Sequence, residues 1–263
     1  MTEVLSVDIL RHYLLGLTML MPRIITIFSI VPFLGKILHG QVRNSIVAGL
    51  CLLILPVIMP TVHAQNFSLP LFMGLMAKEA LVGFLIGFFI SIPFWAIEGV
   101  GSVIDNQRGS TMGSLFDPMA GQQTSVYGSL FMQLTAVLLF TSGGFLTLVG
   151  IMFQSYKIWP VDSFIPAPTS ELPTFILGQL DYLMRMIVIY AAPPVIAIFL
   201  VDFGLGLINR FAPQLNVFFL SMPLKSGVAV FIVFIYLVMV QRSFSDRILE
   251  QFQAVKFLQY LFK

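Results

Sequence analysis

ALVGFLIGFFISIPFWAI, residues Ala80–Ile97, carries no charged side chain. It gives way almost at once to GVGSVIDNQRGSTMGSLFDPMAGQQTSVYG, residues Gly99–Gly128. SLFMQLTAVLLFTSGGFLTLVGIMF, residues Ser129–Phe153, then turns apolar again. The flanks read as membrane helices, because about 20 apolar helical residues span a bilayer. The centre does not. Gly101, Gly109, Gly113 and Gly121 loosen its backbone, and Pro118 forbids a helix through its middle. Its free N–H and C=O groups would go unpaired in lipid. The segment therefore sits in water, in a protein interior or in a polar cavity. It is either an ordinary loop between helices or a loop folded back into a cavity or pore.

Composition sets the class. The 263 residues are 58% hydrophobic and 10% charged, with a mean hydropathy of +0.95. Soluble domains carry about a quarter charged residues. This is an integral membrane protein, or one that buries its apolar surface in a large assembly. A net charge of +2, with no basic run interleaved with aromatics, argues against nucleic acid. The single cysteine, Cys51, excludes an internal disulfide. Glu3 and Asp8 stand where a signal peptide would be basic, so the first apolar run is expected to persist in the mature protein.

Six apolar regions follow one another: Leu10–Phe33, Ile46–Pro60, Leu69–Ile97, Val126–Phe153, Leu180–Leu207 and Leu215–Val240. They lack the period-two alternation of transmembrane strands, so they read as helices. The fold class is an all-α membrane protein of about six long, kinked or broken helices. Kinks or breaks are expected at Pro22, Pro32, Pro56, Pro93, Pro193, Pro194 and Pro223, since an interior proline removes a ladder hydrogen bond. Arg23, Lys78, Glu79, Asp181, Arg185 and Asp202 interrupt the apolar runs. A charge in lipid costs at least about 2.5–3.5 kcal/mol, so these side chains are expected to face partner helices or a polar cavity. Asp181 and Arg185, spaced i,i+4, can pair.

Lys157–Gly178 is a proline-rich connection, and the best boundary between two parts of the chain. Lys and Arg divide almost evenly between the two sides of an alternating six-span topology, so orientation stays open. From Ser245 the tail is amphipathic, with Ile248, Phe252, Val255, Leu258 and Phe262 at helical spacing. There is no HExxH, GxxxxGK[ST], CxxC or GxSxG, and His12, His39 and His63 show no metal spacing. The residues give no sign of an enzyme, a metal site or a cofactor. A secondary transporter remains as a second reading, with broken helices forming a midplane site around Arg23, Glu79 and Asp202, although no internal repeat supports it.

Four sets of motifs carry a resemblance. The first is Met21-Pro22-Arg23 with Val31-Pro32-Phe33 and Gln41-Val42-Arg43. The second is Ile104-Asp105-Asn106-Gln107-Arg108-Gly109 with Asp117-Pro118 and Gln122-Gln123-Thr124-Ser125. The third is Gly143-Gly144 with Ser155-Tyr156. The fourth is Gly206–Phe218, GLINRFAPQLNVF. Over nearly its whole length the chain resembles the FliR/SpaR/YscT/HrcT family, the T (flagellar R) subunit of the type III secretion export apparatus. Met222-Pro223-Leu224-Lys225-Ser226 looks more like the virulence (injectisome) branch than the flagellar one.

The resemblance implies a non-enzymatic component of an export gate for unfolded proteins in the bacterial inner membrane. It implies a helical hetero-oligomer with P/R-type and Q/S-type subunits, and with the switch/autoprotease export subunit, much of it above the membrane on the periplasmic side. Residues 1–175 would resemble the P/R-type subunit, and residues 176–263 the Q/S-type helical hairpin. A plug loop would occupy residues 106–122. There Asn106, Gln107, Arg108, Gly109, Ser110, Thr111, Met112, Gly113, Leu115, Phe116, Asp117, Met119 and Gln122 would line or close the channel. Met112, Leu115, Phe116 and Met119 suit a soft apolar seal, while Ser110, Thr111 and Gln122 offer neutral hydrogen bonds. Asp105 and Arg108, spaced i,i+3, can pair at the loop base. Arg23, Arg210, Pro213, Asn216 and Lys225 are expected at subunit contacts or in structural roles, and Arg210–Asn216 reads equally well as a plain hairpin tip.

Overall fold

The computed structural model describes residues 2–38, 40–64, 68–110, 125–163, 170–214 and 216–261. Among these the regular structure is entirely helical: α1 (Thr2–Ile30), α2 (Pro32–Ile37), α3 (Gly40–Ala64), α4 (Leu69–Arg108), α5 (Val126–Thr141), α6 (Gly144–Ile158), α7 (Leu172–Phe211) and α8 (Val217–Leu261). Five segments are long and apolar enough to cross a bilayer: Leu10–Ile30, Gly40–Pro60, Leu69–Arg108, Leu172–Phe211 and Val217–Phe244. The pair α5 and α6 passes the same test only jointly, bent by 75° between the two helices, the geometry of a broken span or of a re-entrant loop. The short second apolar region thus gains its length from the turns that begin at Gly40.

The helices run on through most of the prolines at which kinks or breaks are expected. Pro22, Pro56, Pro93, Pro193, Pro194 and Pro223 all lie inside helices that continue past them. A proline deletes one N–H, and the hydrogen bonds on either side hold the helix when the site is tolerated. Only Pro32 stands at an interruption, opening α2 after Val31, where a missing N–H costs nothing. The break inside an apolar region comes instead at Ser142–Gly143. Gly143 has φ of 76°, a left-handed backbone that glycine adopts freely. The tail that reads as a separate amphipathic helix is the continuation of α8, and its side chains from Phe252 onward lie outside the described residues.

The chain forms two compact units: residues 1–92, 143–176 and 249–263, and residues 93–142 and 177–248. In the first, α1 buries Leu20, Ile24, Ile27 and Phe28 along one stripe. The stripe meets α3 and the first half of α4. Gly83 and Gly87 let α4 approach closely, for a Cβ at Gly83 would overlap the Arg23 backbone and one at Gly87 would press on Ile27. This is the small-xxx-small spacing by which membrane helices pack backbone to backbone. Gly83→Val is expected to cost about 1–3 kcal/mol by overpacking, read as a lower thermal midpoint of the purified chain in detergent. An unchanged midpoint would show that the helices do not touch there.

In the second unit, Phe94, Ile97, Val100 and Ile104 of α4 are buried, as are Phe131, Met132 and Leu139 of α5. Tyr190 of α7 packs edge-on against Phe244 of α8, with ring centroids 5.7 Å apart. Burial is uneven along the chain. Two-thirds of the α4 span is covered by the protein itself (67%), against 28% for α7 and 17% for α8.

Candidate functional site

α4 runs on through the first ten residues of the polar segment, Gly99–Arg108, which were expected to lie outside the apolar helix. Gly109 stands just past the last helical residue with φ of 90°. Its N–H donates to Asn106 O at 3.1 Å, and Ser110 N–H donates to Asp105 O at 3.1 Å. This is a Schellman motif, and glycine is the residue it favours at that position. The segment's far end is the start of α5. Ser125 is the N-cap there, and its Oγ accepts from Gly128 N–H at 2.8 Å.

Asp105 joins the two ends. Its buried carboxylate accepts from Arg108 Nε at 2.8 Å and pairs with Arg108 Nη2 at 2.7 Å. It also accepts from Ser125 Oγ at 2.5 Å and from Tyr127 N–H at 3.0 Å. An anion is thereby placed on the free N–H groups at the N-terminus of α5, where the helix dipole favours it. Arg108 also lies over the Tyr127 ring, 4.7 Å from its centroid. Gly101 and Gly128 bring the two helices into backbone contact, since a Cβ on Gly101 would overlap Gly128. Asp105 and Arg108 thus pair at the i,i+3 spacing, but the clamp also needs Ser125, Tyr127 and Gly128. Ser125 was legible as the serine just before an apolar run. Ser125→Ala is expected to cost about 1 kcal/mol as a lost N-cap, measured by thermal unfolding, and no change would remove it from the clamp.

Of the segment itself, Asn106 is exposed, Gln107, Arg108 and Gly109 are half-buried, and Ser110 is exposed, its Oγ donating to Asp105 O at 2.9 Å. Thr111, Met112, Gly113, Leu115, Phe116, Asp117, Met119 and Gln122 lie outside the described residues.

A second constellation is fully buried in the first unit. Arg23 donates from Nε to Glu79 Oε2 at 2.6 Å and from Nη2 to Glu79 Oε1 at 2.9 Å. It also donates to Ser155 Oγ at 3.1 Å and to Trp159 O at 2.9 Å. Lys78 donates to Glu79 Oε1 at 2.6 Å, Pro160 O at 2.9 Å and Val161 O at 3.2 Å. Two cations share one carboxylate, and the surplus charge rests on carbonyls at and beyond the C-terminal end of α6, where the dipole is negative. Tyr156 covers the Arg23 guanidinium at 4.0 Å and donates its OH to Leu20 O at 3.0 Å. Lys78 and Glu79 were legible as charges in an apolar run, but their partner was not, since Arg23 lies 56 residues from Glu79.

The remaining charges are simpler. Lys225 pairs with Asp202 at 2.8 Å, tying α7 to α8. Arg185 pairs with Asp181 at 3.1 Å, yet both side chains are about two-thirds exposed on this chain (69% and 68%). Arg210, Pro213 and Asn216 are exposed at the turn between α7 and α8. The transporter reading needs Arg23, Glu79 and Asp202 as solute ligands. Arg23 and Glu79 are instead spent on each other, and Asp202 on Lys225.

Fold and site together define a multi-pass helical membrane protein whose buried charged groups, among the described residues, fasten its own segments. A profile of the bacterial export proteins, family 1, matches residues 14–251. The chain belongs to that family. It is 43% identical over 233 residues to the Yop proteins translocation protein T of Yersinia pestis, covering 87% of this chain and 88% of that one. It is 33% identical over 227 residues to the secretion system apparatus protein SsaT of Salmonella typhimurium, covering 82% and 84%. Similarity to the flagellar biosynthetic protein FliR of Bacillus subtilis is 31% over 159 residues, covering 60% and 61%. The longer and higher matches to the secretion proteins place the chain on the virulence branch.

Proposed function

We propose that the chain is a subunit of a type III secretion export gate in the bacterial inner membrane, and that residues 106–122 plug its channel. The observation that carries the plug reading is the Asp105 clamp. It fastens the end of α4 to the start of α5, so that Asn106–Ser110 form the fixed base of the plug and displacement can be confined to the residues beyond them. The names of the relatives, which speak of translocation and of a secretion apparatus, support the wider role. The low self-burial of α7 and α8 suits helices that are covered by other subunits as well as lipid. Those subunits are the P/R-type and Q/S-type proteins and the switch/autoprotease subunit, with much of the assembly on the periplasmic side. Residues 1–175 stand in for a P/R-type fold and 176–263 for a Q/S-type hairpin. Arg210, Pro213 and Asn216 are contact residues at the tip of that hairpin. The work is passage of unfolded protein, without catalysis by this chain.

Co-expression with the neighbouring P/R-type and Q/S-type genes, extraction in mild detergent and mass measurement test the reading. A discrete hetero-complex with one copy of this chain is expected. Deleting 106–122 in that complex should raise ion conductance in a reconstituted bilayer. A chain that stays alone would refute the gate; an intact complex without leak would refute the plug alone.

A further inference from the structure

Within the second unit an open groove of about 630 Å³ runs between α5 and α8. Leu134, Val137 and Leu138 of α5 line it, with Leu237 and Val238 of α8. One turn further along α8 the lining becomes polar, at Gln241 and Arg242. Gln241 is out of keeping with so apolar a wall. Its Oε1 and Nε2 are both buried, and neither has a hydrogen-bond partner. A carboxamide carries two donors and an acceptor, and leaving all of them unmet in a buried place is costly. Beside it Arg242 is exposed, and the ion pairs among the described residues fall on other cations.

The position of this turn narrows the occupant. Gln241 and Arg242 lie at the end of the apolar span Val217–Phe244. There the hydrocarbon of a bilayer gives way to headgroups, and basic side chains meet lipid phosphate. We propose that the groove is a glycerophospholipid site. An acyl chain lies along the leucines and valines of α5 and α8. The phosphodiester sits on the Arg242 guanidinium, and an ester carbonyl accepts from the Gln241 amide. The groove needs an apolar body, an acceptor for a buried amide and an anion, all at one depth. A phospholipid carries the three together. A free phosphate would leave the apolar wall bare, and a protein helix would have to bring both polar groups to its own end.

The test uses the purified full chain in mild detergent, titrated with dioleoyl phosphatidylglycerol and observed by native mass spectrometry. One lipid is expected to be retained more tightly than the rest. Arg242→Ala should weaken that lipid at least about tenfold, the loss of one charge-assisted contact. Val137→Trp, which fills the groove, should abolish the tight class. Gln241→Leu should weaken the lipid while leaving the thermal midpoint equal or higher, so that loss of binding is not loss of fold. Equal retention by all four proteins would mean an unspecific lipid shell and overturn the proposal. Groove variants that keep the lipid but no longer assemble with co-expressed export subunits would overturn it in favour of a protein helix.

Discussion

The Glu79→Ala chain is expected to lose about 3–5 kcal/mol of stability, because the change strands buried cations. Arg23 would keep Ser155 Oγ and Trp159 O, and Lys78 would keep Pro160 O and Val161 O. Neither would have a carboxylate within hydrogen-bond distance, and Lys78 would keep the more distant attraction of Asp162. Carbonyl dipoles alone do not replace a bidentate charged partner. The readout is the thermal midpoint of purified protein, or the amount that accumulates in the membrane if the variant is degraded. Adding Lys78→Met should restore part of the loss, because one stranded charge goes with it. Such recovery is the signature of coupled neighbours, which independent sites do not show. A midpoint unchanged by Glu79→Ala would mean that the cluster does not hold the first unit together.

Asp105→Ala is expected to cost about 3 kcal/mol, for it removes an acceptor used by four donors and leaves Arg108 without its anion. Asp105→Asn should cost less. It keeps an acceptor oxygen for Tyr127 N–H and Ser125 Oγ and gives up the charge and the oxygen that accepts from Arg108. If the clamp also fixes a plug, the assembled complex should leak ions in the same order: wild type least, then Asn, then Ala. Stability loss without leak would leave Asp105 as a fastener of α4 to α5 and nothing more.

Much of this was legible in the chain, for reasons that differ from place to place. The spans follow from apolar length, which needs no knowledge of neighbours. The Asp105–Arg108 pair is local, three residues apart on one helix, so spacing alone discloses it. Arg108-Gly109 marks a helix end by the same local logic. The reach of Asp105 to Tyr127 was hidden, since it depends on how the chain returns from the polar segment. The prolines were legible as missing N–H groups, but whether each one kinks or ends its helix depends on the hydrogen bonds around it. Gly143-Gly144, noted only as part of a motif, marks the break that occurs. Gly83-x-x-x-Gly87 is a close-packing signal in the sequence, but the spacing does not say which helix it meets.

The Arg23 cluster also sets a problem of biogenesis. Arg23 leaves the ribosome early, but Glu79 follows 56 residues later and Trp159 136 residues later. At about 5–20 residues per second, the cation waits roughly 3–11 s for its carboxylate and roughly 7–27 s for the carbonyl that completes its shell. A bare arginine is a poor resident of lipid throughout that interval. The first helix is therefore expected to settle fully only late, held by the insertion machinery or kept near the aqueous boundary until α6 is made. Nascent chains stalled before Ser155 should accordingly leave α1 cross-linkable to the insertase, and chains stalled well beyond Val161 should not. The ion pair that fastens the finished unit thus makes its first helix depend on a helix synthesised far downstream.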